Sequence, residues 1–251
     1  MDKESIQRSR AWFLARRGKM TASEIYLLLS NRKVPMTEEE LAAHKAANPK
    51  SRTTTKEIPF SEGTLTWLNR KVAEYYMPDS AFLEDVEMKQ LNSRAVQHGT
   101  FWEDKARETY AETMNYEIFE VGFIPMSGFE RFCGGSPDGM IREQTGIIEI
   151  KCPFNAEVHQ DYLLFEKPED LMEYNLQYYC QCQLNMMVTT TSFCDFVSFD
   201  PRTSSNKQLK ILRIPRDQAV CDMLRERIAL ARDYYKERMK LIDNSNTIVT
   251  T

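Results

Sequence analysis

The sequence lacks a long apolar run, and its first residues lack the apolar segment of an export signal. The longest apolar patch lies at about residues 25–29 of the 251, far short of the roughly 18 residues that a membrane-spanning helix needs. The N-terminal stretch MDKESIQRSR is charged, which argues against a secretory signal. We therefore expect a cytoplasmic protein with no membrane partner.

Cysteine and histidine are too few and too scattered for a structural zinc site. The six cysteines lie at positions 133, 152, 180, 182, 194 and 221, and the three histidines at 44, 98 and 159. The pair at 180 and 182 lacks both the two-residue spacing and the second ligand pair of a zinc knuckle. In a reducing compartment we expect all six thiols to be free and mostly part of the core.

The chain also lacks an excess of basic residues. Its 33 Lys and Arg residues against 37 Asp and Glu residues give a net charge of −4, which argues against a simple DNA-coating protein. A DNA enzyme is still allowed, because the local field of a groove matters more than the total charge. Residues 1–33 carry eight basic and three acidic side chains, whereas residues 79–120 carry four and ten. Either two solvated helix faces or a phosphate-facing end beside a metal-facing end would produce this segregation.

The length, with 42% hydrophobic and 28% charged residues and no internal repeat, favours a single domain over residues 1–251. Polar residues 31–60, with three prolines, are interpreted as a mobile insertion containing one helix capped by Thr37. A polar C-terminal tail is expected from about residue 243. Because helices flank a central run of short strands, we predict an α/β fold around a mixed sheet.

Hydrophobic periodicity predicts the following elements. Helices are expected at 5–17, 61–76, 92–114, 168–188 and 216–241. Strands are expected at 116–125, 131–133, 140–141, 146–151, 193–199 and 208–214. Thr21 and Glu24 have the spacing of a capping box before the apolar residues 25–29.

Two carboxylates and a lysine form the most informative pattern. Asp138 lies in the turn sequence Ser-Pro-Asp-Gly, and Glu149 and Lys151 share one face of a predicted strand because side chains alternate along it. The hairpin between them would bring Asp138 beside Glu149, a donor set that suits a hard cation such as Mg²⁺. A surface hairpin with a Glu/Lys face is the alternative that the spacing leaves open.

The surrounding motifs resemble a known family. Ser136-Pro-Asp-Gly139 followed by Glu149-x-Lys151-Cys-Pro-Phe154 resembles the core of the PD-(D/E)xK nucleases, and most of all the phage lambda exonuclease and YqaJ-like viral recombinase family. Four further motifs are similar to that family: Trp12-x-x-x-Arg16-x-Gly18-x-x-Thr21-Ala-Ser23, Gly99-x-x-x-Glu103-x-x-Ala106-Arg107, Gln181-x-Gln183-x-x-Met186 and Asp200-Pro-Arg202. The resemblance covers about residues 8–240 and implies a restriction-endonuclease-like core, a central mixed β-sheet flanked by helices.

The resemblance also implies roles for individual residues. Asp138, Glu149 and the Ile150 carbonyl would bind Mg²⁺, for which Mn²⁺ would substitute, and Lys151 would position the attacking water. Glu103 would serve a second metal ion through water, giving up to two ions per site. A pocket for a terminal 5′-phosphate would be formed by Arg16, Ser23, Ser136 and Gln181.

Simpler interpretations of these residues stay open at this point. Arg16 could belong to a solvated helix face, and Ser23 could only begin a helix. Glu103 has acidic neighbours on its helix, and Gln183 competes with Gln181 for the pocket.

The activity implied by the resemblance is a Mg²⁺-dependent 5′→3′ exonuclease that digests one strand of linear double-stranded DNA to mononucleotides. The family acts in phage-type recombination by single-strand annealing, so the expected partners are DNA ends, a single-strand annealing protein and further copies of the chain in a homotrimeric ring. A phage or prophage origin would place the protein in the cytoplasm of a bacterial host. Residues 31–60 are longer than the corresponding connection of the family. The alternatives are a restriction-like endonuclease and a non-catalytic DNA-binding module on the same fold.

Overall fold

A computed structural model describes residues 7–142 and 144–245. The helices of this part are α1 (Arg10–Arg16), α2 (Glu38–Ala47), α3 (Glu62–Tyr76), α4 (Asp79–Leu91), α5 (Arg94–Met114), α6 (Ala156–Leu163), α7 (Pro168–Tyr174), α8 (Leu176–Thr189) and α9 (Gln218–Asp243), with 3₁₀ segments at Ala22–Leu29 and Ser205–Lys207. The strands are β1 (Met20–Thr21), β2 (Asn31–Pro35), β3 (Thr55–Pro59), β4 (Ile118–Phe119), β5 (Ile124–Pro125), β6 (Cys133–Gly135), β7 (Gly139–Ile141), β8 (Gly146–Lys151), β9 (Phe193–Phe199) and β10 (Leu209–Pro215).

The central sheet has five strands in the order β10-β9-β8-β7-β4. Strands β8 and β9 are parallel and the other neighbours are antiparallel, so the mixed sheet predicted from the sequence is confirmed. A three-stranded sheet, in the order β1-β6-β5, and the ribbon β2-β3 lie outside it. The hairpin β7-β8 pairs Gly139 with Ile148.

Helices pack on both faces of the central sheet. Ile148 and Ile150 pack on one face with Ala106 and Tyr110 of α5. Ile147 packs on the other face in a buried cluster that includes Cys182, Met186 and Cys194. A second core, built around Leu68 of α3, Leu184 of α8 and Ile228 of α9, fixes the 3₁₀ segment against α8. Helix α8 is thus buried between the sheet and the outer helices, with its polar side chains in the interior. The six cysteines are buried and free, as expected.

Several predicted elements are wrong in their bounds. The expected helix over 5–17 begins only at Arg10, because the Ser9 side chain caps it, and residues 1–6 lie outside the described part. Gly18 has a φ of 68° and ends that helix, as predicted. The predicted strand over 116–125 is two short strands in different sheets. The predicted helix over 168–188 is broken at Asn175, whose side-chain oxygen accepts the Tyr178 N–H and starts a new helix.

The capping box predicted at Thr21 does not form. Thr21 caps no backbone N–H, and the segment that follows is 3₁₀ rather than α-helical. The equivalent prediction at Thr37 is confirmed, since its side chain and that of Glu40 form a full capping box. Residues 31–60 contain that helix and also the ribbon β2-β3, which the sequence did not predict. The polar tail expected from about residue 243 falls largely in residues 246–251, outside the described part.

Candidate active site

The hairpin brings the two predicted carboxylates together. The Asp138 N–H donates to the Ile148 carbonyl at 3.1 Å, and the Ile150 N–H donates to Asp138 Oδ2 at 2.7 Å. Asp138 is therefore tied by its backbone and by its side chain to the strand that carries Glu149. Both carboxylates are buried.

Glu149 is the most enclosed member of the site, with 1% of its surface exposed. Its Oε1 accepts hydrogen bonds from Lys151 Nζ at 2.7 Å and Gln181 Nε2 at 2.6 Å. Its Oε2 accepts a bond from Asn185 Nδ2 at 2.9 Å. Three donors thus compensate a carboxylate that would otherwise be costly to bury.

The electrostatics of the site are strongly perturbed. Burial and the charges of Glu149 and Glu103 raise the pKa of Asp138 well above its usual range, although Lys151 opposes them. Burial by itself lowers the pKa of Lys151, but the charges of Glu149 and Asp138 outweigh it and raise that pKa. The Lys151 ammonium also lies 4.5 Å from the centre of the Tyr178 ring. With these carboxylates beside it, Lys151 is a cationic hydrogen-bond donor at neutral pH.

Glu103 of α5 is contacted by two arginines. Arg8 forms an ion pair with its Oε2, and Arg107 donates to its Oε1 at 3.1 Å. Arg107 also donates to the Asp138 carbonyl at 3.0 Å, so it links α5 to the turn that carries Asp138. The Arg8 backbone is in the left-handed region, with a φ of 66°.

Arg16 presents a guanidinium without a polar protein partner. Arg16 is partly buried, and its guanidinium lies 4.0 Å from the centre of the Trp12 ring. The side chain makes no hydrogen bond or ion pair with any residue of 7–142 or 144–245. Burial lowers its pKa to about 10, while nearby acidic groups, chiefly Glu24, oppose the shift. Arg16 is thus charged at neutral pH and has hydrogen-bond donors free for an anion.

The other predicted pocket residues line the same cleft as Arg16. Ser136 Oγ accepts a hydrogen bond from Trp12 Nε1 at 3.0 Å, and Ser23 Oγ lies 3.3 Å from Thr21 Oγ1. Gln181 Nε2 uses one of its two hydrogens on Glu149, and its Oε1 accepts from Lys151 Nζ at 3.3 Å. Gln183 points away, donating to the Pro215 carbonyl at 3.0 Å. Of the two candidate glutamines, Gln181 is therefore the one in the site.

A single cleft of about 190 Å³ connects these groups. The nine residues predicted for metal binding, catalysis or the phosphate pocket all line this cleft: Arg16, Ser23, Glu103, Ser136, Asp138, Glu149, Ile150, Lys151 and Gln181. The rest of its lining is formed by Gln7, Arg8, Trp12 and Ala22. A larger cavity of about 570 Å³ adjoins it and shares Arg8, Trp12, Arg16 and Lys151. Its aromatic lining includes Phe82, Tyr162 and Tyr178.

The residues of the cleft fit a hard divalent cation. Asp138, Glu149 and the Ile150 carbonyl supply oxygen donors only, and Mg²⁺ binds through one or two carboxylates while keeping waters. Within the described ranges no group of three or more His, Cys, Asp and Glu side chains is arranged to hold a metal ion by itself, so the two carboxylates would need the Ile150 carbonyl and water to complete the shell of an ion. The negative charges of Glu149 and Glu103 help to raise the pKa of Asp138, and a bound cation would compensate those charges.

The match to a family model spans most of this machinery. Residues 11–192 match the model of the YqaJ-like viral recombinase domain, a stretch that contains Arg16, the hairpin and α8. The chain belongs to the YqaJ-like viral recombinase domain family. The resemblance inferred from the sequence motifs is thereby confirmed. No curated protein sequence matches the chain.

Solved structures share the fold of this family member. The alkaline exonuclease LHK-Exo from Laribacter hongkongensis is similar, with 25% identity over 94% of this chain and 96% of that chain and a TM-score of 0.68. The structure of LHK-Exo in complex with dAMP gives 24% identity and the same TM-score of 0.68. A phage-related exonuclease from Haemophilus somnus 129PT shares the fold at 15% identity, with 89% and 96% of the two chains covered and a TM-score of 0.59. The expected restriction-endonuclease-like fold is confirmed.

Asn185 and Arg8, which contact carboxylates of the site, were missed from the sequence. Asn185 lies four residues after Gln181 on α8, a spacing that puts both on one helix face and could have predicted its contact with Glu149. Arg8 reaches Glu103 across 95 positions of sequence, and no local pattern indicates that pair.

Proposed function

We propose that the chain is a Mg²⁺-dependent 5′→3′ exonuclease that digests one strand of linear double-stranded DNA to mononucleotides. The observation that carries the proposal is the unpartnered Arg16 guanidinium in the same cleft as Asp138, Glu149 and Lys151. A guanidinium suits a phosphate, and the paired carboxylates suit a metal. Family membership and the likeness to alkaline exonucleases support a DNA nuclease.

Asp138, Glu149 and the Ile150 carbonyl would bind the catalytic Mg²⁺, and Mn²⁺ would substitute. When bound, the ion would lower the pKa of a water ligand and stabilise charge on the phosphate. Glu103 would serve a second ion through water, and its ion pairs with Arg8 and Arg107 compensate its charge in the protein. Lys151, protonated at neutral pH, would donate hydrogen bonds that hold the attacking water and stabilise the developing negative charge.

Arg16 would bind the terminal 5′-phosphate, with Ser23, Ser136 and Gln181 as neutral donors around it. Gln181 retains one amide hydrogen after its bond to Glu149, so it can contact a phosphate without releasing the carboxylate. The short cleft would then set the distance between the chain end and the bond that is cut. Fixing the end beside the metal ligands would favour release of single nucleotides, because it would hold the terminal phosphodiester near them.

Two alternatives differ in what they require of this cleft. A restriction-like endonuclease cuts internally and needs no receptor for a terminal phosphate. A non-catalytic DNA-binding module needs neither the carboxylates nor Lys151. Incubation of end-labelled linear DNA and closed circular DNA with Mg²⁺ separates the three functions. Our proposal predicts that the linear duplex is degraded and the circle survives, whereas cutting of the circle would favour the endonuclease and inertness of both would favour the binding module.

The same proposal extends to assembly and partners. We expect a homotrimeric ring that encloses DNA and acts beside a single-strand annealing protein in phage-type recombination. A solution mass of one chain, in place of three, would contradict the ring. Among the described residues no helix is long and apolar enough to cross a membrane.

A further inference from the structure

Asn185 contacts the catalytic carboxylate from the interior of the protein. The side chain is fully buried on α8, and its Nδ2 donates to Glu149 Oε2 at 2.9 Å. It is absent from the lining of the 190 Å³ cleft, whereas Gln181, one turn earlier, is part of that lining. Asn185 therefore reaches substrate or metal only through Glu149.

The two oxygens of Glu149 are fixed by different elements. Oε1 is bound by Lys151 on the same strand and by Gln181. Oε2 has one hydrogen-bond donor among the described residues, which is Asn185. Without that donor the carboxylate could turn about its last bond while keeping Oε1 in place, since terminal torsions of this kind are broad.

The surroundings of Asn185 favour this orientation of its amide. Its Oδ1 is buried without a hydrogen-bond partner in the described part of the chain, and the reversed amide would place that oxygen against Glu149 Oε2. Gly135 makes room for Oδ1, because a Cβ on Gly135 would lie 2.3 Å from it. A buried oxygen without a hydrogen bond is unfavourable. The amide of Asn185 therefore keeps the hydrogen bond that its nitrogen donates to Glu149, although its own oxygen is left without a partner.

We propose that Asn185 is a positioning residue that holds the Glu149 carboxylate in the orientation needed to bind the metal ion. This inference rests on the proposed function, since it assumes that Glu149 is a metal ligand. Residues that orient a ligand in this way commonly change metal affinity by roughly 10–100-fold when they are replaced. The effect should therefore appear in metal binding itself and not only in turnover.

Gln183 offers a matched control on the same helix. It is fully buried, donates to the Pro215 carbonyl at 3.0 Å and accepts the Asp217 N–H at 2.9 Å, and it has no contact with the cleft. Replacing either amide by leucine removes its buried hydrogen bonds and leaves an apolar side chain in the space. A merely structural role for Asn185 would make the two variants behave alike.

The test measures the Mg²⁺ dissociation constant by titration calorimetry, with the melting temperature of each metal-free protein, for wild type, Asn185→Leu and Gln183→Leu. We expect both variants to melt lower, and only Asn185→Leu to raise the dissociation constant, by roughly 10–100-fold. If Asn185→Leu does not fold, Asn185→Ala removes the same donor without added bulk. Equal Mg²⁺ affinity in the Asn185 variant and wild type would overturn the inference alone. A wild type that neither binds Mg²⁺ nor digests linear DNA would overturn the proposed function and the inference together.

Discussion

Replacement of Arg16 by alanine should weaken recognition of the terminal phosphate far more than catalysis in general. Arg16 is charged at neutral pH, and its side chain has no polar protein partner in the described chain. Its N–H donors are therefore available to a ligand. A charge-assisted hydrogen bond contributes about 1.5–3 kcal/mol. Since about 1.4 kcal/mol corresponds to a tenfold change in rate, Arg16→Ala should slow digestion of 5′-phosphorylated ends by roughly 10- to 150-fold.

The diagnostic quantity is the ratio of initial rates on 5′-phosphorylated and 5′-hydroxyl duplexes, measured at one salt concentration because generic phosphate contacts are screened by salt. This ratio should fall towards one in the Arg16 variant. Arg17 is a matched control, since it is the adjacent residue with the same charge but pairs with Asp79 and donates to the Met77 carbonyl at 3.1 Å, away from the cleft. Arg17→Ala should leave the ratio as in wild type. Equal slowing of both substrates by Arg16→Ala would refute the phosphate pocket.

Three further predictions follow from the geometry of the site. Lys151→Ala should lower turnover by at least about 100-fold yet still bind Mg²⁺ in calorimetry, and a collapse of Mg²⁺ affinity would show that its assigned role is wrong. Because the pKa of Asp138 is raised in the fold, its ionisation destabilises the metal-free protein as pH rises. Asp138→Asn should therefore abolish cleavage and raise the melting temperature of the metal-free protein near neutral pH, by about 2–4 °C for each 1 kcal/mol gained. A lower melting temperature would contradict this. Gly135→Ala should cost about 1–3 kcal/mol by overpacking against Asn185 in chemical denaturation, whereas Gly63→Ala, where there is room for a Cβ, should not destabilise the fold.

The hairpin could be predicted from sequence because its signals are local. Turn residues around Asp138 and the strict alternation of side chains around Glu149 determine which side chains meet. In the structure, the Asp138 carboxylate accepts a hydrogen bond from the strand that carries Glu149. Helix α4 and the ribbon β2-β3, which escaped prediction, lack such signals. Helix α4 buries only Phe82, so it has no apolar stripe, and the strands of the ribbon β2-β3 have no buried residue.

The long-range contacts of the site were beyond sequence reasoning for another reason. The partner of Glu103 depends on where the fold brings Arg8, and the position of the Asn185 donor depends on how α8 packs against β8. Helix α8 also illustrates how a local cap sets a boundary: the predicted helix over 168–188 runs through residue 175, but the Asn175 side chain caps a new helix there. The motifs of the resemblance nevertheless named nine of the thirteen residues that line the cleft.

Direction and mode of cleavage test the central claim most directly. Two linear duplexes, one labelled at the 5′ ends and one at the 3′ ends of the same strands, would be incubated with Mg²⁺ and sampled early. We predict that the 5′ label appears first as a mononucleotide while the 3′ label stays in long fragments, and that Glu149→Ala releases neither. Early release of the 3′ label, or internal fragments from both duplexes, would contradict a 5′→3′ exonuclease built on this cleft.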